Sequence, residues 1–284
     1  MELVTIACER DIQDLLLQAH SIDKFIQEPC HHWITVEDES LTPEEWHGIL
    51  APYYTRHKLH LTFSKRPDLY FDAPFTVGYR RQQLLKLETA AKVTSDTSLV
   101  LDCKNFFIRS TKLSDWPYKN GNGRYTFLDE EPEYFLPKQW VNYIHTVTGL
   151  EMPSKFPPRL ATPFACTTEY VRAAVEYPKF DGIFYQTSAI PMTEMFYYYF
   201  FVPKNQLDSF VIDVGGALGY RDNPNEIDHS IITSPTHGLH RRARKEMTLD
   251  AKVSYADWLI SLGLNKQLVN DYVYYEMTDI SWGM

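Results

Sequence analysis

A chain of 284 residues, 44% hydrophobic and 23% charged, can bury a sizeable core as one large domain or two small ones. Its formal net charge of −9 excludes a protein that coats nucleic acid through a basic face, and it holds no run of about 18 apolar residues to cross a membrane. Four scattered cysteines without a C-x-x-C pair (Cys8, Cys30, Cys103, Cys166) read as reduced thiols of a cytoplasmic protein, not as a zinc site.

The opening MELVTIACERD has no basic region followed by a long apolar stretch, so no secretory signal is expected. LVTIA (3–7) predicts a strand. From Asp11, a favourable N-cap, Ile12, Leu15, Leu16, Ala19, Ile22, Phe25 and Ile26 recur at helical spacing. HWITVED (32–38) and KLHLTF (58–63) predict the second and third strands, GYRRQQLLKLETAAKV (78–93) a helix, and SLVLD (98–102) a fourth strand. This alternation predicts an α/β fold with a mostly parallel sheet flanked by helices, followed by an irregular C-terminal region. Such sheets bind ligands beyond the carboxyl ends of their strands, here 7–11, 37–39 and 102–105.

After Arg109 the pattern breaks. YKNGNGRY (118–125) is turn-rich, and EMPSKFPPRLATPF (151–164), with four prolines, reads as a loop within one domain. Helices are predicted over 137–150, where Pro137 suits a first turn and Gly149 a stop, and over 167–177. TEMFYYYFFV (193–202) is too uniformly apolar for its periodicity to decide its type. With 19 Tyr, 16 Phe and 6 Trp, the aromatic set suits sugar faces as well as core packing.

Several polar knots interrupt this scaffold. Glu9, Arg10 and Asp11 leave the first strand, where a ligand's base, ribose or phosphates would lie, or where Asp11 simply caps a helix. Arg80 and Arg81 fall in the predicted first turn of their helix, where the dipole favours an anion, and Gln82 and Lys86 share a face. In LDCKNFF (101–107), Asp102 ends a core strand as an acid that could hold a metal bridging a diphosphate, with Asn105 in reach of a ribose or sugar hydroxyl. An Asp-x-Asp pair is the usual pattern there, but the third position is Lys104, whose charge could meet a phosphate directly. Glu194, amid Met192, Met195, Phe196 and Tyr197, is a candidate general base with a raised pKa, or a helix N-terminal acid. In SPTHGLHRRARKE (234–246), His237, His240, Arg241, Arg242, Arg244 and Lys245 form a basic cluster fit for a diphosphate. The glycines of DVGGALGYRDNP (213–224) do not have dinucleotide spacing. Thr162 to Phe164, and Trp116, suggest an acceptor groove.

VTIACERD, SIDKF, GYRRQQLLKLETA, LDCKNFF, TPF and TEMFYYYF, in that order over roughly 2–245, resemble a family of largely uncharacterised bacterial and phage proteins grouped with GT-A-type glycosyltransferases. The resemblance implies a single GT-A-like domain, with residues 1–110 as the nucleotide-sugar half and 111–284 as the acceptor and C-terminal half. It implies a transferase moving sugar from a nucleotide sugar to a glycan acceptor, in surface polysaccharide synthesis or a related process. Glu9, Arg10, Arg81, Gln82, Lys86 and Asp102 match the donor-side positions, with Asp102 at the manganese or magnesium position, and Glu194 matches an acid before an aromatic-rich helix. Lys104, standing where a second acid is usual, leaves metal dependence open. A nucleotidyltransferase on a related sheet and a non-catalytic glycan-binding module are the alternatives. Donor, acceptor, stereochemistry and oligomeric state are not written in the sequence.

Overall fold

The computed structural model of the chain describes residues 1–37, 41–64, 74–115, 124–125, 135–152, 162–178, 180–185, 193–203, 212–213, 224–226, 232, 235–239 and 241–275. At its centre lies β1 (Glu2–Ala7), buried along its whole length. On one side it pairs in parallel with β2 (His31–Val36), from Leu3 opposite His32 to Ala7 opposite Val36. On the other it pairs in parallel with β4 (Thr97–Asp102), from Glu2 opposite Ser98 to Ile6 opposite Asp102. Beyond β2 runs β3 (Lys58–Phe63), also parallel, and beyond β4 runs β7 (Phe164–Thr167), antiparallel. The order β3-β2-β1-β4-β7 is the mostly parallel α/β sheet expected, with an antiparallel edge that sequence alone did not suggest.

Side chains alternate across this sheet with period two. Val4, Ile6 and Val100 meet Leu84, Leu85 and Leu87 of α3 (Pro74–Ala90). On the opposite face, Leu3, Leu99 and Leu101 meet Ile22 of α1 (Ile12–Phe25), while Ile34 and Val36 meet Trp46 and Leu50 of α2 (Pro43–Leu50). Thr42 caps α2 through a reciprocal capping box with Glu45, a T-x-x-E signal that sequence reading passed over.

The α3 face is thickened by α4 (Phe135–Thr148), α5 (Thr168–Val175), α6 (Phe180–Tyr185) and α7 (Glu194–Tyr199). So 193–202 begins as a buried aromatic helix, and Gly149, at φ +75°, ends α4 as expected. Two small ribbons follow: β5 (Phe106–Phe107) with β9 (Thr236–His237), and β6 (Arg124–Tyr125) with β8 (Ile212–Asp213). Finally α8 (Arg241–Glu246), α9 (Leu249–Ser261) and α10 (Lys266–Tyr274) pack on the α1 side, where Tyr255, Leu259, Val269 and Tyr272 share a core with Leu17 and Phe106. Trp116, Asp38, Glu39 and most of the two predicted loops lie outside the described residues. Among the described residues, no helix is long and apolar enough to cross a membrane.

Two local expectations are corrected. α3 starts at Pro74, a residue suited to a first helical turn, so Arg80 and Arg81 stand well inside the helix and not at its anion-favouring end. Asp11 does not cap α1: its carboxylate turns back to accept from Cys8 N at 3.1 Å and Cys8 Sγ at 3.0 Å.

Candidate active site

β1 and β4 end side by side, and the chain leaving β4 closes on itself. Asp102 N donates to Asn105 Oδ1 at 2.8 Å, and Asn105 N donates to Asp102 O at 2.9 Å. From beneath, Gln18 Nε2 donates to the carbonyls of both Asp102 (2.8 Å) and Asn105 (2.6 Å). Gly238 lies against the same turn so closely that an added Cβ would stand 2.3 Å from Lys104 O. Only glycine fits that approach.

Gln18 is itself held by a buried chain whose direction the donors fix. Thr5 Oγ1 donates to Gln18 Oε1 at 2.9 Å, so it accepts from His32 Nε2 at 2.9 Å, and His32 Nδ1 accepts from Tyr54 Oη at 2.6 Å. His32 is therefore a neutral, Nε2-protonated imidazole, and burial, helped by nearby His57, pushes its pKa down to about 3. An unfolded chain would protonate it near the ordinary 6.5, so its contribution to stability is whole above that pH. The contribution falls as pH drops towards about 3, by at most about 1.4 kcal/mol per pH unit. In His32→Gln, urea denaturation at a series of pH values should give a shallower acid slope than wild type. An unchanged slope would contradict the assignment.

On the turn sits the Asp102 carboxylate. Its Oδ1 is 2.7 Å from Lys86 Nζ, and its Oδ2 is 2.5 Å from Lys104 Nζ and accepts from Thr162 Oγ1 at 2.7 Å. Lys86 also meets Glu194 Oε1 at 3.0 Å. Burial alone would raise the Asp102 carboxyl, but Lys104 and Lys86 outweigh it and hold it well below the usual carboxylate range. Glu194 is raised: burial dominates, Lys86 opposes it, and Asp102 adds to it. Burial also works against the Lys86 charge, yet Asp102 and Glu194 more than compensate and raise its pKa. The four groups differ in access. Lys86 and Glu194 side chains are 5% and 3% exposed, whereas Asp102 and Lys104 are 20% and 24% exposed and form the rim.

This donor set does not fit a divalent cation. Hard cations need several free oxygens, and both Asp102 oxygens already face ammonium groups. Among the described residues, no three His, Cys, Asp or Glu side chains are grouped to share a metal ion.

Other residues named from sequence fall in several places. Glu9 and Arg10 are exposed just past β1, in a short 3-10 turn. Arg81 ties the sheet's edge together, pairing with Glu37 at 3.2 Å and donating to Ser64 O at 3.2 Å. Gln82 is half-buried one turn before Lys86. Asn105 is 1% exposed and its side chain is spent on the turn and on Thr162 O at 3.4 Å, which corrects its expected contact with a sugar hydroxyl. His237 does not join the cluster: β9 buries it among the rings of Phe106, Tyr255 and Trp258. Arg241 is given carboxylate partners, Asp11 at 2.5 Å and Asp14 at 3.0 Å, where a phosphate was expected. Arg244 pairs with Asp14 at 2.7 Å, and Arg242 with Glu246 at 3.0 Å on the surface. His240 and the Arg80 side chain lie outside the described residues. The cysteines are free thiols, as expected, and burial pushes up those of Cys8 and Cys30 to about 12 and Cys103 and Cys166 well above the ordinary value.

Sequence reading missed Asp14, Gln18 and Ser21 of α1, which form one buried polar stripe; Ser21 Oγ accepts from Phe107 N at 2.9 Å. Their spacing of four and three residues was the available signal, since it puts them on one helix face.

No family model matches the sequence, and no curated protein matches it. Solved structures similar to the chain include glycosyltransferases. GlyE of Streptococcus pneumoniae TIGR4 is 14% identical, with 45% of this chain and 29% of that one covered at a TM-score of 0.31. The bifunctional glycosyltransferase WbbM is 11% identical, with 84% of this chain and 45% of that one covered at a TM-score of 0.46. The chain spans less than half the length of either.

Proposed function

We infer that the chain is a nucleotide-sugar-dependent glycosyltransferase of GT-A-like architecture, working in the cytoplasm on a glycan such as a surface polysaccharide. One observation carries the reading: the Lys86–Asp102–Lys104 charge cluster stands at the carboxyl ends of adjacent parallel strands, on a turn held rigid from below. Ligands of open α/β sheets bind beyond those ends, and a diphosphate needs fixed cations there. The ordered motifs resembling GT-A-type transferases support it. On this reading Glu9 and Arg10 would face the donor's base or ribose, Arg81 and Gln82 would extend the donor side, and Thr162 would border the acceptor.

In the reaction, the acceptor oxygen bonds to the donor's anomeric carbon while the bond from that carbon to the phosphate oxygen breaks. The electron pair stays on the phosphate, and the acceptor hydroxyl gives its proton up to solvent water. Glu194 was the sequence's candidate base, but its burial and its contact with Lys86 favour an indirect role, holding the lysine in place.

A thermal-shift screen of uridine, guanosine and cytidine nucleotide sugars tests the reading. At about 100 times Kd, a bound donor should stabilise wild type by roughly 2.7 kcal/mol, or a rise in Tm of a few degrees. Asp102→Asn should abolish the shift. No shift with any donor would move the assignment to a glycan-binding module.

A further inference from the structure

The Asp102 carboxylate sits in the position where an acid pair would hold a metal, yet each of its oxygens already faces a lysine ammonium. We propose that this site neutralises the donor's diphosphate with the Lys104 ammonium in place of a divalent metal, an inference that rests on the nucleotide-sugar reading above.

The two lysines are not equivalent. Lys86 is held on two sides, by Asp102 and Glu194, and its side chain is 5% exposed, so it is a fixed counter-charge inside the wall. Lys104 is 24% exposed and meets Asp102 from the rim, through a contact only two residues along the chain. A lysine is a compact charge with three rotatable donors, so one ammonium can keep Asp102 and still donate to phosphate oxygens. Its backbone is tied down on several sides: the Asp102–Asn105 turn is closed on itself, clamped by Gln18 and backed by Gly238. The ammonium thus reaches out from a fixed base, the preorganisation that makes a charge effective. Asp102, kept ionised by its two lysines, aims the ammonium and is a positioning residue. A divalent ion bound to Asp102 would have to displace both ammonium groups from it.

Titration calorimetry with UDP, GDP and CDP, each in EDTA and in manganese chloride, tests this on the whole chain. The tightest-binding diphosphate should bind wild type with affinities in the two buffers that agree within about threefold. Lys104→Met should weaken that binding at least tenfold in both buffers, and Lys104→Arg, which keeps the charge, should restore most of it. Circular dichroism should find both variants folded, as expected for a rim side chain. Wild-type binding that appears only with manganese would overturn the inference and leave the glycosyltransferase reading standing. Metal-independent binding that Lys104→Met leaves unchanged would also overturn it. No diphosphate binding in either buffer would overturn the nucleotide-sugar reading, and this inference with it.

Discussion

Lys86→Met is expected to lose about 3–5 kcal/mol of stability and all donor binding, the former read from urea denaturation at neutral pH. The buried lysine is the common counter-charge of two carboxylates, at 2.7 Å from the rim residue Asp102 and 3.0 Å from the buried Glu194. Its removal leaves Asp102 with Lys104 alone and Glu194 with no cation in contact through that oxygen. Glu194, already raised by burial, is then driven to protonate. This gives the experiment a second arm. Lys86→Met with Glu194→Gln removes the orphaned carboxylate together with its partner, so the double variant should recover some of the lost stability. Additive losses in this cycle would show that the two side chains are not coupled. Donor binding should not return in the double variant, because Lys86 also helps to hold Asp102 in place.

Asp14→Ala should be comparably severe, at a position one turn of α1 before Gln18, which holds the Asp102 turn. Asp14 is 4% exposed and receives Arg241 at 3.0 Å and Arg244 at 2.7 Å, from the far end of the chain. Arg244 is fixed further by a bond to Tyr272 O at 2.6 Å and by stacking 3.8 Å over that residue's ring. Without the carboxylate, two guanidinium groups face a buried space with half their charge balance gone. Breaking such a pair costs about 3–5 kcal/mol, a large share of the roughly 5–15 kcal/mol that holds a domain folded. Hydrogen exchange should find α8 to α10 released first, since Asp14 is their charged tether to α1. Arg242→Ala is the control: its pair with Glu246 is 66% and 56% exposed and should change stability by less than about 0.5 kcal/mol. Equal losses in the two variants would contradict the tether.

The central sheet was legible because its code is local. The runs at 3–7, 32–36, 58–63 and 98–102 are the strands, and their interleaving with helical segments pointed to a mostly parallel sheet, whereas α2 between the second and third strands was not predicted. Lys86, Asp102, Lys104, Glu194 and Thr162 were also named from sequence, and they come within bonding distance of one another. Burial of polar groups was not legible. On α1, hydrophobic periodicity picked out Leu15, Ala19 and Ile22 but assigned Asp14, Gln18 and Ser21 no role, because a polar stripe reads as a solvated face. Its partners lie up to 230 residues away, and only the tertiary fold brings them there. Within the basic cluster at 237–245, Asp11 and Asp14 take up Arg241 and aromatic rings surround His237, partners that only the tertiary fold supplies. The helix predicted over 78–93 begins earlier, at Pro74, a residue suited to a first helical turn, and four residues of it precede the run of strong helix formers that marks it in the sequence.

A nucleotide sugar is expected to be cleaved beside the Lys86–Asp102–Lys104 cluster, with Asp102 positioning the charge that meets its diphosphate. The most direct test is to incubate the protein with the donor picked out by thermal shift and a glycan acceptor, and to identify the phosphate product. Wild type should release nucleoside diphosphate or monophosphate in step with a glycosylated acceptor, and Asp102→Asn should release neither. Release of pyrophosphate from a nucleoside triphosphate, or equal turnover by Asp102→Asn, would contradict the account.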